Sequence, residues 1–425
     1  LPDPRFQPDC TIEVDGRRVA ARAGESVAVA LLAAGRVLVA RSAKYHRPRG
    51  AFCLAGSCHA CLARVDGVPN RRTCRTPCHE GLSVTTQNAL PTARSDVLGA
   101  IDHLFGRGLD HHHLATWNAA ANRAAVAFSR RLAGLGRLPD QPPAPSPPAA
   151  VEHADALVVG AGPAGLGAAE ALARAGRGVL LVEAEPVVGG RLRARLALPD
   201  DPPPGWAEAS AGAVRGAGGD VACATTALGT WRDGTRLVVA LLVAGDPPRL
   251  RLVRPDRLVL ATGSSALPPL FPRNDRPGVY AARGLLCALA ESGAVPGERA
   301  VVLGRGPEAA ATADRLGAAG MEVARVEEVA EALGGRRLSG VVLPGGRRVA
   351  CDTLAFAGPR APASDLARTA GAEVALDAES GGFAVRAGVA GETSVPGVWV
   401  AGEVTGAMSA AEALGAGRRA GEGSR

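Results

Sequence analysis

The sequence predicts an α/β protein in which a small mixed β-domain precedes a doubly wound fold, and that fold is interrupted by a second, shortened lobe. Three observations carry the prediction. Residues 156–183 read ALVVGAGPAGLGAAEALARAGRGVLLVE: a buried strand, glycines at 160, 162 and 165, an Ala-rich helix, a second buried strand and an acid. Four cysteines are grouped at 53, 58, 61 and 74, among short alternating runs. The Pro-rich stretch QPPAPSPPAA (141–150) separates the two regions and reads as an extended, semi-rigid linker.

Composition bounds the reading. A chain of 425 residues is long enough for two or three domains. Hydrophobic residues make up 47% but aromatics only 3%, so the cores must be built from Ala, Val and Leu. No apolar run approaches the ~20 residues of a transmembrane helix. The first residues, LPDPRFQPDC, lack the basic-then-apolar pattern of a signal peptide, and without a starting Met a few residues are expected to be missing. Nine cysteines, an odd number with four tightly grouped, point to a metal site in a reducing, cytoplasmic compartment rather than to a secreted disulfide framework.

The charge is uneven. Residues 1–140 carry 19 Lys and Arg against 11 Asp and Glu, while the remainder carries 29 against 30. The excess surrounds the cysteines, with Arg41, Lys44, Arg47, Arg49, Arg71 and Arg72, and no stacking-aromatic pattern accompanies it. It therefore points to docking an acidic partner, or to offsetting a negative cofactor, and not to nucleic acid.

The first domain is taken as residues 1–90. CTIEV, the turn Asp15-Gly16 and RRVAA form a hairpin, and SVAVALLAAG, opened by Gly24 and Glu25 and closed by Gly35, a short helix. Hairpin then helix is how a β-grasp ferredoxin-like domain begins. RSAKYHRPRG (41–50) reads either as a solvated loop or as a docking or cofactor-covering loop. Cys53, Cys58 and Cys61 have the C-x4-C-x2-C spacing of plant-type 2Fe-2S domains. LARV, Asp66-Gly67 and VPNRRTC then form a hairpin in which Cys61 is expected to face Arg72, which returns Cys74 to the first three as fourth ligand. Cys78 competes for that place, and Pro77 makes it less suitable. Four thiolates also suit zinc, but zinc sites favour two C-x-x-C knuckles and this pattern has one. Cys10, Cys223, Cys287 and Cys351 are isolated and expected to pack as small hydrophobes. No C-x-x-C lies near either nucleotide-type segment, so a redox-active disulfide is not supported.

Residues 91–140 are expected to be a helical connector. His111, His112 and His113 lie within it; consecutive histidines point in different directions on a helix, so a shared metal is disfavoured. The main fold is assigned to 151–296 and 357–425. Gly160 permits the tight turn, Gly162 lets backbone approach a pyrophosphate, and Gly165 lets helix pack on strand. Pro163 and Ala164 open the helix, whose N-terminus offers free N–H groups. Glu183, followed by Ala184, stands where an acid accepts from a ribose 2′-OH. Gly189-Gly190-Arg191 is a second glycine turn. Residues 221–258 alternate like strands, with turns at Asp233-Gly234 and Asp246-Pro247, and RLVLATG ends at Thr262-Gly263. The inserted lobe, 297–356, offers Gly304 and Gly306 but Ala309 in place of a third glycine, with Glu327 as the acid. It has room for two or three strands, so a second nucleotide (NAD) there stays open against a degenerate structural lobe. In VPGVWVAGEVTG, Gly402 and Glu403 follow a buried strand, where an acid approaches a flavin ribityl or pyrophosphate.

VVGAGPAGL, the ATG at 261–263 and VPGVWVAGEV resemble the two-dinucleotide-fold, FAD/NAD-type Rossmann flavoproteins. KYHRPRG, FPRNDRPGV and LAGLGRLP (132–139) are more specifically similar to the α subunit of heterotetrameric sarcosine oxidase and its relatives in hydrogen cyanide synthase and the opine, proline and hydroxyproline dehydrogenases. The resemblance covers nearly the whole chain. It implies a fused 2Fe-2S ferredoxin-like domain, an adenine nucleotide on the first fold (FAD, NAD or ATP, depending on the member), an FMN at a subunit interface, and a separate FAD-dependent, amine-oxidising β-type subunit, with further small subunits in some members. This chain ends before the folate-binding domain of sarcosine oxidase, so folate chemistry is not implied, and its four cysteines point to dehydrogenase-like members. The expectation is an electron-transfer subunit of a flavin-dependent amine or amino-acid dehydrogenase. No general base or nucleophile is assigned as catalytic. The alternatives are a self-sufficient NAD(P)H-dependent FAD/iron–sulfur reductase and a subunit whose nucleotide is never reduced.

Overall fold

In the computed structural model, residues 7–43, 45–100, 102, 118–132, 148–245 and 247–423 are described. The first elements are the hairpin β1 (Cys10–Val14) and β2 (Arg17–Ala21) and the helix α1 (Val27–Ala33). Asp15 and Gly16 have φ of 49° and 72°, the paired left-handed geometry of a two-residue turn that matches strand twist. Ser26 caps α1 by accepting from Val29 N–H. Two short strands, β3 (Ala40–Arg41) and β4 (Pro48–Arg49), then pair across the basic loop. A second hairpin, β5 (Leu62–Val65) and β6 (Val68–Arg72), is followed by β7 (Ser83–Thr86). The sheet order is β2-β1-β7-β5-β6, with β1 and β7 parallel. Its inward residues, among them Ile12, Val14, Val65 and Val84, close over Leu31 of α1.

The expected helical connector is different at its start. Residues 91–99 form the small pair β8 (Pro91–Thr92) and β9 (Ser95–Asp96) and one 3-10 turn, Val97–Gly99. Pro91 and Thr92 pair with Asp96 and Ser95 in a small hairpin, and the Asp96 side chain then accepts from Leu98 N–H as a cap, with helical residues at Ala100 and Asp102. Helix α2 (Ala119–Leu132) comes later. Lys44, the three histidines, Asp246 and most of both LAGLGRLP and the Pro-rich stretch lie outside the described residues.

The main fold opens with β10 (Ala150–Val159), α3 (Pro163–Arg174), β11 (Val179–Val182), α4 (Trp206–Gly216) and β12 (Asp220–Ala222). The meander β13 (Thr225–Asp233), β14 (Arg236–Val243) and β15 (Arg249–Leu260) follows, then β16 (Ser264–Ala266). The inserted lobe holds β17 (Val279–Ala281), α5 (Ala282–Ser292), β18 (Arg299–Gly304), α6 (Gly306–Ala318) and β19 (Glu322–Val326). It continues with β20 (Glu331–Leu333), β21 (Gly340–Val342), β22 (Arg348–Val349) and β23 (Thr353–Ala357). The chain returns through β24 (Arg360–Pro362), α7 (Asp365–Thr369), β25 (Val374–Asp377), β26 (Gly382–Val385), β27 (Val398–Val400) and α8 (Ala410–Glu422).

Two units result: residues 1–142 with 268–358, and 143–267 with 359–425. In the second, seven strands run β12-β11-β10-β15-β14-β13, with β27 beside β15. β10, β11, β12, β15 and β27 are parallel, and their buried Val/Leu runs suit a sheet covered on both faces. In the first unit, the lobe's sheet is β17-β23-β18-β19, all parallel. The stretch expected to form two or three strands supplies three of these and a separate antiparallel sheet, β20-β21-β22, while Val279–Ala281 joins the parallel sheet from ahead of residue 297. Among the described residues no helix is long and apolar enough to cross a membrane.

Candidate functional site

The first site is the cysteine loop. Cys53, Cys58 and Cys61 lie between β4 and β5, and Cys74 sits on a 3-10 turn, Thr73–Arg75, directly after β6. The β5–β6 register corrects the expectation that Cys61 faces Arg72. Leu62 pairs with Arg72 instead, because the pairing shifts by one between Ala63 and Val65, opposite Asn70 at φ 59°. Thr73 takes the place facing Cys61, donating N–H and Oγ1–H to its carbonyl at 3.1 and 2.9 Å. Cys74 follows one residue on, beside the loop.

Thiol hydrogen bonds join Cys53 to Cys58, Cys53 to Cys74, and Cys61 to Cys74. The N–H groups of Ala55 and Cys58 also reach Cys53 Sγ, at 3.5 and 3.4 Å. Accepting from Cys58 and Cys74 holds the Cys53 thiol far below its usual range, and accepting from Cys74 holds Cys61 at about 6. The donors Cys58 and Cys74 are pushed up in return. Among the described residues, the group of three or more His, Cys, Asp or Glu ligand atoms all within 4.8 Å of one another is His153, Asp155 and Asp256, which is exposed and lies in the other unit. The four sulfurs thus form a chain of neighbours. A tetrahedral zinc with Zn–S of ~2.3 Å needs every pair of sulfurs within ~4 Å. Cys53 neighbours both Cys58 and Cys74, and Cys74 also neighbours Cys61, so four thiolates form one linked set of the kind that holds two irons. The donor set fits a 2Fe-2S cluster. Cys78 lies in the domain core near Cys10, its thiol pushed up to about 12 by burial.

The arginines expected to form a free basic surface are largely engaged. Arg41 donates to Ala93 and His46 carbonyls, Arg47 pairs with Asp102 at 2.7 Å, Arg49 with Asp275 at 2.7 Å, and Arg72 donates to Gly56 O. Their charges are partly offset within the loop, and the ion pairs of Arg47 and Arg49 are about a third exposed on the arginine side.

The second site is the glycine loop between β10 and α3. Gly160 has φ 101°, and a Cβ on it would lie 3.0 Å from the Ala261 carbonyl carbon. A Cβ on Gly165 would lie 2.9 Å from the Gly160 carbonyl carbon and closer still to its oxygen, so helix and strand touch through bare backbone. Gly162 caps α3 with no side-chain bond to the first-turn N–H groups, and Pro163 and Ala164 complete that turn. Opposite stands Gly190, whose Cβ would be 2.9 Å from Gly162 Cα. Gly402 closes on Ala164, where a Cβ would lie 2.8 Å away, and so brings Glu403 to the loop. Arg191 Nη1 binds Glu403 Oε1 at 3.2 Å and donates to Met408 O at 2.8 Å.

Glu183, at the end of β11, accepts from Ala161 N–H at 2.7 Å and Glu185 N–H at 2.9 Å. Burial lifts its carboxyl above the usual range. Two of about four acceptor positions on the carboxylate are then used, which leaves places for ribose hydroxyls. Thr262 meets the loop through its backbone, its N lying 3.6 Å from where a Cβ on Gly160 would stand, while Thr262 Oγ1 donates to Ala363 O at 2.7 Å and Gly263 O accepts from Ala363 N–H at 2.9 Å. Ala184 is half-buried and has no polar side-chain atom to offer. Sequence reasoning missed Ser264, which donates to Glu403 Oε2 at 2.8 Å, and Arg360, whose Nε lies 3.0 Å from Ser264 Oγ. Nearly a hundred residues separate that pair, and no local pattern marks either one.

Residues 7–89 match the 2Fe-2S iron-sulfur cluster binding domain family, and residues 154–336 the pyridine nucleotide-disulphide oxidoreductase family. The chain is 32% identical to the sarcosine oxidase alpha subunit of Rhizobium meliloti, over 95% of this chain and 44% of that protein. It is 42% identical to the HcnA subunit of hydrogen cyanide synthase of Pseudomonas aeruginosa, over 20% of this chain and 81% of that protein. The chain belongs to the family of sarcosine oxidase alpha-like proteins. An opine oxidase subunit of Rhizobium meliloti is a further relative, 34% identical over 36% of the chain and 34% of its own length. L-proline dehydrogenase from P. horikoshii shares the fold, with a TM-score of 0.74 at 21% identity over 98% of this chain and 73% of that one. The chain spans less than half the length of the sarcosine oxidase alpha subunits it matches. The chain thus joins a 2Fe-2S cluster binding domain to a nucleotide-binding domain of FAD/NAD type.

Proposed function

We propose that the chain is the electron-transfer, α-type subunit of a heteromeric flavin-dependent dehydrogenase or oxidase acting on an amine or amino acid of the sarcosine, proline, opine or glycine class. The observation that supports the reading is that one chain of this family holds four neighbouring thiols together with a glycine loop faced by Glu183 and Glu403. The cluster is assigned to Cys53, Cys58, Cys61 and Cys74. FAD is assigned to the first fold: the α3 N-terminus beside Gly162 receives the pyrophosphate, and Glu183 receives the adenosine ribose. Arg191 holds Glu403 at the opposite side, where it orients the flavin end. When bound, the flavin and the cluster supply the electron storage and transfer; the protein positions them and tunes their surroundings. Amine oxidation is assigned to a second, FAD-binding β-type subunit, with an FMN at the junction.

The test has two parts. Extraction of the purified chain should release FAD, together with iron and sulfide. Alone, the chain should not oxidise sarcosine, proline or related secondary amines with a dye acceptor, and turnover should appear when the β-type subunit is added. Robust turnover by this polypeptide alone would refute the assignment. The match to the pyridine nucleotide-disulphide oxidoreductase family supports one competing reading, an NAD(P)H-dependent reductase. Rapid reduction of the bound flavin by NADH or NADPH would decide for it.

A further inference from the structure

In a parallel α/β sheet, ligands bind beyond the carboxyl ends of the strands. In the lobe that edge is formed by Ala281 of β17, Phe356 of β23 and Leu303 of β18, which lie in register. The cysteine loop is docked there. Ala281 N–H donates to Phe52 O at 2.9 Å, and the Phe52 side chain packs on the lobe's core with Phe271 and Phe356. Gly284, in the first turn of α5, lies against the backbone of Cys53: a Cβ on it would stand 2.9 Å from the Cys53 carbonyl carbon and closer to its oxygen.

The neighbouring glycine turn is closed as well. Glu308, in the first turn of α6, takes a two-pronged ion pair from Arg283 of α5, at 3.0 and 2.8 Å. A carboxylate therefore stands where a pyrophosphate needs free N–H groups and positive potential. Arg305, inside the Gly304–Gly306 turn, pairs with Glu327 at 3.0 Å in an exposed contact, which a ligand could displace at little cost.

We propose that the ligand edge of this lobe is committed to the iron–sulfur domain instead of a second nucleotide, and that Gly284 is the positioning residue that sets the place of Cys53. The proposal rests on the cluster assignment made above. A methyl group at 284 requires helix α5 and the Cys53 backbone to separate, since carbon atoms settle at about 3.5–4.0 Å.

The experiment uses the full chain. Iron and sulfide analysis of the parent comes first, and their absence would defeat the cluster assignment itself. In a cluster-bearing parent, Gly284→Ala should alter the visible circular dichroism and electron paramagnetic resonance of the cluster, shift its midpoint potential and speed iron loss to a chelator. Gly317→Ala, in α6 of the same lobe with nothing within 4 Å of the added methyl, should do none of these. Far-UV circular dichroism of both variants separates cluster displacement from unfolding. If Gly284→Ala unfolds the chain, Phe52→Leu, which trims the neighbouring contact of the cysteine loop with the lobe's core, should give a smaller change in the same spectra. An unchanged cluster in a folded Gly284→Ala protein overturns the positioning role. Saturable NADH binding that Glu327→Ala abolishes overturns the commitment of the edge.

Discussion

Gly162 and Gly165 stand three residues apart, and the structure predicts opposite failures when each gains a methyl group. At Gly165 the new Cβ lies 2.9 Å from the Gly160 carbonyl carbon and 3.3 Å from Ala261 Cβ. Carbon pairs settle at about 3.5–4.0 Å, so the carbonyl carbon alone requires α3 to retreat from β10 by ~0.6 Å, and the nearer carbonyl oxygen requires more. Overpacking of this kind costs about 1–3 kcal/mol. At about 2–4 °C per kcal/mol for a unit of this size, Gly165→Ala should melt roughly 2–12 °C lower. At Gly162 the nearest atom to a new Cβ is Gly190 Cα at 3.8 Å, an ordinary contact, and the backbone φ of −78° suits alanine. The nucleotide-free Gly162→Ala protein should therefore melt with the parent. Its methyl group instead fills the lane by which a pyrophosphate reaches the α3 N–H groups. Losing one such charge-assisted hydrogen bond, worth about 1.5–3 kcal/mol, weakens binding roughly 10- to 150-fold. Thermal melts of the stripped proteins, with titration of each by FAD, measure both quantities. A Gly162→Ala protein that melts low, or one that keeps parental FAD affinity, would show that the glycine loop does not work as argued.

Cys74→Ser should abolish or greatly perturb the visible iron–sulfur spectrum. Cys78→Ser should keep it while lowering stability by about 1–3 kcal/mol through a buried hydroxyl, and the reverse pattern would reassign the fourth ligand. Burial raises the folded-state pKa of Glu183 above the unfolded value near 4.5. Its contribution to the stability of the stripped protein is then full below that value and lost as pH rises through the folded pKa. Urea midpoints measured from about pH 4 to 7 should fall more steeply for the parent than for Glu183→Gln. Arg191→Ala, which releases Glu403 at the loop, should weaken FAD retention without changing the iron–sulfur spectrum.

Much of this protein is written in short stretches of sequence. The strand, helix and acid around Gly160, the Asp-Gly hairpin turns and the C-x4-C-x2-C loop each act within a few tens of residues. Periodicity, turn chemistry and ligand spacing are local properties, so the sequence alone determined the α/β class, the order of its parts and the two candidate centres. Its errors came where a single residue or a distant partner intervened. Asn70 at positive φ moved the β5–β6 register by one and put Thr73, not Arg72, opposite Cys61. Pairing with Asp102 and Asp275 partly offsets the charges of two arginines of an expected docking face. Only the tertiary structure decided that Glu403 meets Arg191 and Ser264, and that Gly284 lies under Cys53. Such contacts join segments more than a hundred residues apart. They exist because packed backbones approach until an atom stops them, and what stops them, or is missing, belongs to another part of the chain.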